Sequence, residues 1–345
     1  MSVCCYGFLG KPLWRPFNMP ISILGVSRRL GSDVIDPITI EEQFDKPAGT
    51  IEGLCGVTKL HRMLPEENLA VLSAEACRDV IKRCGISVDQ ISGVFTSCNP
   101  TTDYLIPSLA PLVVKELGLS HILAINIGMG CAGGLQALQA AHNQLLADTL
   151  AEQVRYYLVV AGDHTSRMLD KSAWKTAIMF SDGVTAALVT NDPNVTGGLE
   201  VLRTNSETYA GESVCVINLP NTLASDGTEK RFLGMRGRGV FEFGTRIAPR
   251  VKKLAGVSDL SNFYIIPHQA NIRMLSELSP TLGVDPEQIY TKGITTVGNI
   301  SGAACFLGLE EVIADSAVAG NRDDILLCAF GAELQVAVSV LKRRA

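Results

Sequence analysis

The strongest constraint on the fold is a rhythm that occurs twice along the chain. Apolar runs of strand length alternate with segments of helical length. In the first half, ISGVFTSC (91–98), ILAINIG (122–128) and YYLVVAGD (156–163) are the strand-like runs. Helical patterns lie at 69–84 and 106–117, and another opens just after Cys131. The second half carries NFYIIPHQ (262–269) and DILLCAFGA (324–332), with helical stretches at 235–254, 271–282 and 302–319. Near-continuous Val/Ile/Leu strands separated by helices predict an α/β fold whose sheets are covered on both faces. The chain ends on ELQVAVSVLKR, whose alternation after a two-residue break predicts a closing antiparallel hairpin.

Composition narrows the partners. Apolar residues make up 47% of the 345 and charged residues 19%, which suits a chain that buries more surface than a lone monomer, as in an obligate dimer. The net charge of −5 argues against nucleic acid or an anionic membrane as the main partner, since both need clustered Lys and Arg. The ten cysteines are scattered, with no CxxC pair and no Cys/His spacing for a metal. A reducing cytoplasm is the simpler setting. Residues 1–20, interrupted by Pro12, Pro16 and Pro20, are too short to span a bilayer and lack the form of a secretory signal. They read as an extension without assigned function, and a strand-like ISILGVS begins at Ile21.

Three polar residues stand where this rhythm would build a site. Cys131 follows a first-half strand and opens a helix, within IGMGCAGGLQAL. His268 ends a second-half strand in IIPHQANIRM, and Asn299 in TTVGNISGAA precedes a third helix. Ligands of covered α/β sheets gather at the carboxyl ends of strands. A helix start stabilises a thiolate, and the glycines around Cys131 permit a sharp turn and the close approach of a substrate. Taken alone, Cys131 also reads as a buried core cysteine, His268 as a satisfied strand-end histidine and Asn299 as a turn former. Taken together they supply one nucleophile and two neutral hydrogen-bond donors, suited to negative charge developing on a thioester oxygen.

GCAGGLQAL, PHQANIRM and GNISGAA resemble the active-site motifs of β-ketoacyl-acyl carrier protein synthase III, within the thiolase superfamily. The resemblance runs over most of the chain from Ile21. It includes FSDGVTAALV (180–189), similar to the family's glycine-rich loop, and MRGRGVFEF (235–243), similar to the segment leading a long helix. It implies a five-layer αβαβα sandwich of two similar halves, here 21–195 with the cysteine and 196–345 with the histidine and asparagine, working as a homodimer. It implies that Cys131 takes an acyl group from a coenzyme A or acyl carrier protein thioester. The backbone N–H groups of Cys131 and Ala332 would hold the oxyanion. His268 and Asn299 would then bind the thioester oxygen of a malonyl-type extender, whose decarboxylation gives the attacking enolate. Asn271, Arg273, Ile106, Gly331 and Glu333 would line the substrate path. No metal or cofactor is implied beyond the coenzyme A or phosphopantetheine of the substrates.

Departures from the family pattern cluster at substrate recognition. Thr50 and Leu54 stand where a Trp and an Arg clamp the nucleotide, Trp174 replaces a second nucleotide-binding Arg, and Pro280 and Thr281 stand near where lysines often lie. Loss of Arg contacts weakens recognition of a nucleotide phosphate, so a donor other than plain acetyl-coenzyme A is expected. Ile106 replaces an aromatic residue at the base of the acyl pocket, and FGAE replaces a glycine-rich terminal motif. Two other activities fit the same motifs: acyl transfer to a hydroxyl or amine without decarboxylation, and service as a non-catalytic partner subunit.

Overall fold

The computed structural model describes residues 19–99, 106–128, 130–169, 174–209, 215–216, 233–331 and 334–344. Its strands are β1 (Ser22–Leu30), β2 (Asp33–Ile35), β3 (Leu60–Arg62), β4 (Ile91–Ser97), β5 (Leu123–Ile127), β6 (Tyr156–Asp163) and β7 (Gly183–Thr190). They continue as β8 (Leu199–Thr208), β9 (Cys215–Val216), β10 (Gly234–Met235), β11 (Phe263–Pro267), β12 (Asp324–Gly331) and β13 (Gln335–Arg343). The helices are α1 (Pro37–Gln43), α2 (Thr50–Cys55), α3 (Leu69–Arg83), α4 (Leu109–Glu116) and α5 (Gly133–Leu150). Further along come α6 (Trp174–Ala177), α7 (Gly237–Ala255), α8 (Ile272–Leu282), α9 (Lys292–Thr296) and α10 (Ala304–Ala314).

Nine strands form one mixed sheet in the order β11-β12-β13-β8-β1-β7-β6-β4-β5. β1 runs antiparallel to β7 along most of its length but meets β8 only at Ser22↔Glu200 and Ile23↔Leu199. That short seam joins two groups of strands, and the period-2 burial within each shows what covers them. On β6, Tyr157, Val159 and Ala161 face one core while Leu158 and Val160 face another. On β12, Ile325, Leu327 and Ala329 share the first of these cores while Leu326 and Cys328 turn to a third. The shared core holds α5 through Leu135, Leu138 and Leu145, and α10 through Phe306, Leu309 and Val312. Outside it, α3 and α4 cover β4, β6 and β7, and α7 and α8 cover β11, β12 and β13. The result is helix, sheet, helix, sheet, helix: the five-layer α/β sandwich expected from the resemblance.

Local chemistry sets most element ends. Asn68 caps α3 by accepting from Ala70 N at 2.8 Å, and Lys82 and Arg83 complement the dipole at its other end. The terminal hairpin is present as β12 antiparallel to β13. The stretch FSDGVTAALV, likened to a glycine-rich loop, is instead largely strand β7, paired with β1 on one side and β6 on the other. Its Val184, Ala186 and Leu188 alternate with residues of the middle core, a placement that only a central strand gives. The helix expected over 302–319 breaks at Asp315, which is extended and accepts from Ala317 N to start a separate short turn.

Strand β5 departs from the expectation of full burial. It is an edge strand, bonded in parallel to β4, and Leu123, Ala124 and Asn126 are exposed. No described helix is long and apolar enough to cross a membrane.

The glycines after Cys131 serve helix packing. A Cβ on Gly134 would overlap the Gly302 carbonyl oxygen and lie 3.0 Å from the Phe306 ring, and one on Gly133 would overlap the Ser97 hydroxyl. Gly134→Ala is therefore expected to cost about 1–3 kcal/mol of stability through overpacking. Gly53→Ala, in α2 where an added Cβ meets nothing within 4 Å, should be neutral or stabilising. Urea unfolding of the two variants checks the contrast.

Candidate active site

Cys131 lies in the turn between β5 and α5. Gly130 precedes it with a φ of +85°, which an L side chain resists, and the Gly130 carbonyl accepts from Gly133 N at 3.0 Å. Cys131 and Ala132 thus occupy the corner of a tight turn that runs into the helix. Below it, Ser97 at the end of β4 donates its hydroxyl to Gly128 O at 2.9 Å. Cys131 is partly exposed, whereas Cys305 and Cys328 nearby are buried. Burial pushes the Cys305 thiol up, and the adjacent Cys328 and Cys131 add to that push, so Cys305 sits behind the turn as an inert core residue.

His268 follows β11, and its own N–H donates to Cys328 O on β12 at 2.8 Å. Gln269 fixes the chain beyond it. Its amide donates to Pro267 O and Tyr290 O at 2.9 and 3.0 Å, and its oxygen accepts from Ile294 N. The imidazole is buried, with Nδ1 lacking a hydrogen-bond partner among the described residues. It stands edge-on to Phe330 at 6.4 Å between ring centroids. Burial alone pulls its pKa down to about 4, so the ring is neutral at physiological pH and can offer one N–H without competing as a strong base.

Asn299 is held by its neighbours on both sides. Its N–H donates to Met179 O and its carbonyl accepts from Ser181 N, both at 2.9 Å, beside the bridge to Phe180. Its side-chain oxygen accepts from Ser301 N at 2.8 Å. That bond fixes the carboxamide orientation and leaves the NH₂ as the free end, a neutral donor like the histidine.

Two short chains of contact bring the three turns together. Phe330, against the His268 ring, precedes Gly331, and a Cβ built on Gly331 would lie 3.6 Å from Cys131 N and 3.5 Å from Ala132 N. On the other side, a Cβ on Gly302 would lie 3.0 Å from Gly130 O, so the turn after Asn299 abuts the turn of Cys131. Cysteine, imidazole and carboxamide, read from separate stretches of sequence, come from segments packed against one another.

The remaining candidates are placed more variously. Asn271 caps α8, accepting from Arg273 N at 2.9 Å and donating to Leu54 O at 3.4 Å. Arg273 is exposed and donates to Gly53 O at 2.8 Å, so both residues pin α2 to the start of α8. Ile106 is 88% exposed, the most open large apolar side chain among the described residues. Trp174 is partly buried with Lys46 Nζ 5.3 Å above its ring. Ala332 and Glu333 lie outside the described residues, as does most of the 1–20 extension. Asn99 and Asp163, which bond to these turns, carry no motif, and a carboxylate closing the apolar run YYLVVAGD is the signal that points to Asp163; Ser301 lies within GNISGAA, where its own part in the site is unmarked.

The histidine leaves a testable mark on stability. Unfolded, it titrates near 6.5; folded, only near 4. Between those values the unfolded state binds more protons, so stability falls as pH drops from about 6.5 towards 4, and the effect vanishes above that window. His268→Gln should flatten this part of the pH–stability curve, measured as urea midpoints from about pH 4 to 8.

Comparison with known proteins gives one answer. The family described as 3-oxoacyl-[acyl-carrier-protein] synthase III matches residues 125–210, and its C-terminal part matches 255–343, just over half of the chain together. The β-ketoacyl-[acyl-carrier-protein] synthase III of Clostridium tetani is 27% identical over 341 residues, covering 94% of this chain and 99% of its own. That of Streptomyces glaucescens is 28% identical, covering 92% and 95%. Among solved structures, the Thermus thermophilus synthase III superposes with a TM-score of 0.80 at 26% identity, over 93% of this chain and 98% of that one. The priming β-ketosynthase of the R1128 polyketide pathway shares the fold, with a TM-score of 0.80 at 22% identity over 96% and 98%. By these matches, and by the meeting of its cysteine, histidine and asparagine turns, the chain belongs to the 3-oxoacyl-[acyl-carrier-protein] synthase III family of the thiolase superfamily.

Proposed function

We propose that the protein is a decarboxylating condensing enzyme of fatty-acid or polyketide synthesis. The observation that carries this reading is the pairing of two neutral donors, His268 and Asn299, on segments packed around the turn of Cys131. In the first step the Cys131 sulfur attacks an acyl thioester carbonyl, and the donor's thiol leaves with a proton. The backbone N–H of Cys131 holds the transient oxyanion, and the family resemblance alone assigns the N–H of Ala332 the second bond. In the second step a malonyl-type thioester loses its carboxylate as carbon dioxide, and the electron pair moves into an enolate. His268 and Asn299 stabilise the enolate oxygen. Its carbon attacks the acyl-cysteine carbonyl and expels the Cys131 thiolate. A neutral imidazole suits this task, because it donates a hydrogen bond to the enolate without giving up a proton outright.

The donor we favour is carried on acyl carrier protein. Thr50 and Leu54 offer neither a guanidinium nor an aromatic face to a nucleotide, and the Trp174 ring already has Lys46 over it. The phosphopantetheine arm is common to both carriers, so only recognition of the nucleotide should be weakened. A cytoplasmic setting, which keeps the thiol reduced, fits the same chemistry.

We also infer a homodimer. The exposed backbone edge of β5, with Leu123 beside it and Ile106 open to solvent, is a surface that proteins seldom leave uncovered. A second copy pairing there by a two-fold axis would extend the sheet and cover these side chains.

Three outcomes are expected. Intact mass should show one acyl group added on incubation with acyl-carrier-protein thioester, none in Cys131→Ala, and slower loading from acetyl-coenzyme A. Labelled carbon dioxide should then be released from malonyl thioester. Acyl transfer without that release would replace this reading by simple acyltransfer, and no acyl mass at all would leave a scaffold. In light scattering, the parent should have twice the chain mass, and Leu123→Glu should shift it towards the monomer.

A further inference from the structure

We propose that Asp163, acting through Asn99 and Ser301, is a positioning residue that holds the Cys131 turn and the Asn299 turn in register with each other. The inference rests on the reading of Cys131 and Asn299 as reacting groups.

Asp163 closes β6, a strand whose residues are all buried, and it is only 2% exposed. Its two oxygens grip one residue at two points. Oδ1 accepts from Asn99 N at 2.6 Å, and Oδ2 accepts from Asn99 Nδ2 at 2.8 Å. Backbone and side chain of Asn99 are thereby fixed together, just after β4 ends. The carboxamide so oriented reaches both turns. Its oxygen accepts from Gly130 N at 3.2 Å, one residue before Cys131, and its nitrogen donates to the Ser301 hydroxyl at 3.3 Å. The Ser301 side chain lies near enough to the carboxylate to oppose the rise of its pKa, and the Ser301 N–H holds the Asn299 carboxamide.

Two paths therefore leave one carboxylate. One runs through the Asn99 oxygen to Gly130 and the nucleophile; the other runs through the Asn99 nitrogen and Ser301 to the enolate-binding donor. The turns come from distant parts of the sequence, and Asp163 is tied to both.

Ser301 gives an independent reason to single out this cluster. Its φ is +53°, left-handed for a residue with a Cβ, an unfavourable conformation that persists only where surroundings over-determine it. The surroundings here are Asn299 at its N–H and Asn99 at its hydroxyl, with the Asp163 carboxylate close by. A carboxylate is also an unfavourable group to bury. Burial pushes the Asp163 carboxyl up to about 6, while bonds from Ser301 and Asn99 oppose that rise. An amide in its place would present an NH₂ to one of the Asn99 donors and release the grip. The fold keeps the acid because only an acceptor on both oxygens orients Asn99.

The test compares Asp163→Asn, Asn99→Ala, their double variant and Ser301→Ala. Two readouts are taken: alkylation of Cys131 by iodoacetamide, followed by peptide mass, and kcat and KM for carbon dioxide release from malonyl thioester. Displacement of reacting groups by up to about 1 Å costs up to about 100-fold. Each single variant should lose about 10- to 100-fold in kcat with KM within about threefold. The double variant should lose no more than the worse single, because the two residues form one chain. Asp163→Asn and Asn99→Ala should change the alkylation rate several-fold, whereas Ser301→Ala, on the other path, should leave it unchanged. A folded Asp163→Asn protein with parental alkylation and turnover overturns the proposal, and so does a double variant whose loss is the product of the singles. Should Asp163→Asn fail to fold, parental turnover in Asn99→Ala or in Ser301→Ala overturns it equally. If even the parent releases no carbon dioxide, the condensing reading fails, while alkylation of Asn99→Ala still decides whether the clamp shapes the cysteine turn.

Discussion

The structure depends on one backbone contact: the first turn of α5 lies directly against the turn that opens α10. Gly134 faces the Gly302 carbonyl so closely that it has no room for a methyl group, and Gly302 in turn approaches Gly130 O. These two helices form the middle layer and share its core with strands from both sheet groups. Pushing them apart by the width of a side chain would separate the cysteine turn from the asparagine turn and open the interior at the same time. Packing and chemistry are thus satisfied by the same small residues. Of the glycines of GCAGG, Gly134 lets the two helix starts touch, Gly133 lets α5 begin against Ser97, and Gly130 makes the left-handed turn.

Around that contact the candidate site is assembled from side chains that are uncharged. His268 is made neutral by burial alone, and Asn299 is neutral by nature. In the proposed reaction two neutral donors would stabilise an enolate oxygen as its charge develops without binding the starting thioester as an ion pair, which is how preorganised donors favour a transition state over a ground state. The buried acid beside them, Asp163, is set back from the reactants, where it orients side chains. Around the outer rim, Asn271 and Arg273 are committed to holding α2 against α8.

Much of this was legible in the sequence because its signals are local and periodic. The alternation of strand and helix, the terminal hairpin and the starts of α3 and α8 follow from apolar spacing and capping chemistry, both properties of a few neighbouring residues. Cys131, His268 and Asn299 stand out because each is a polar residue beside a strand or helix end. What misleads is equally local. FSDGVTAALV begins with turn-forming residues, and nothing within those ten residues says that β1 and β6 flank it. Asn271 carries a second duty that its position near the histidine does not announce: its side chain caps α8.

By itself, then, the sequence determined the class of fold, much of the alternation of strand and helix and the identity of three candidate reacting groups, since each is written in residue type and spacing over fewer than about twenty positions. Only the tertiary structure decided that the three turns meet, that β5 is an exposed edge, that burial holds His268 neutral, and that Asp163 reaches both the cysteine and the asparagine turns. Those facts depend on which distant segments pack together. Asn99 and Ser301 stand 202 positions apart and bond side chain to side chain. Proximity of that kind is created by folding and leaves no mark on the intervening chain.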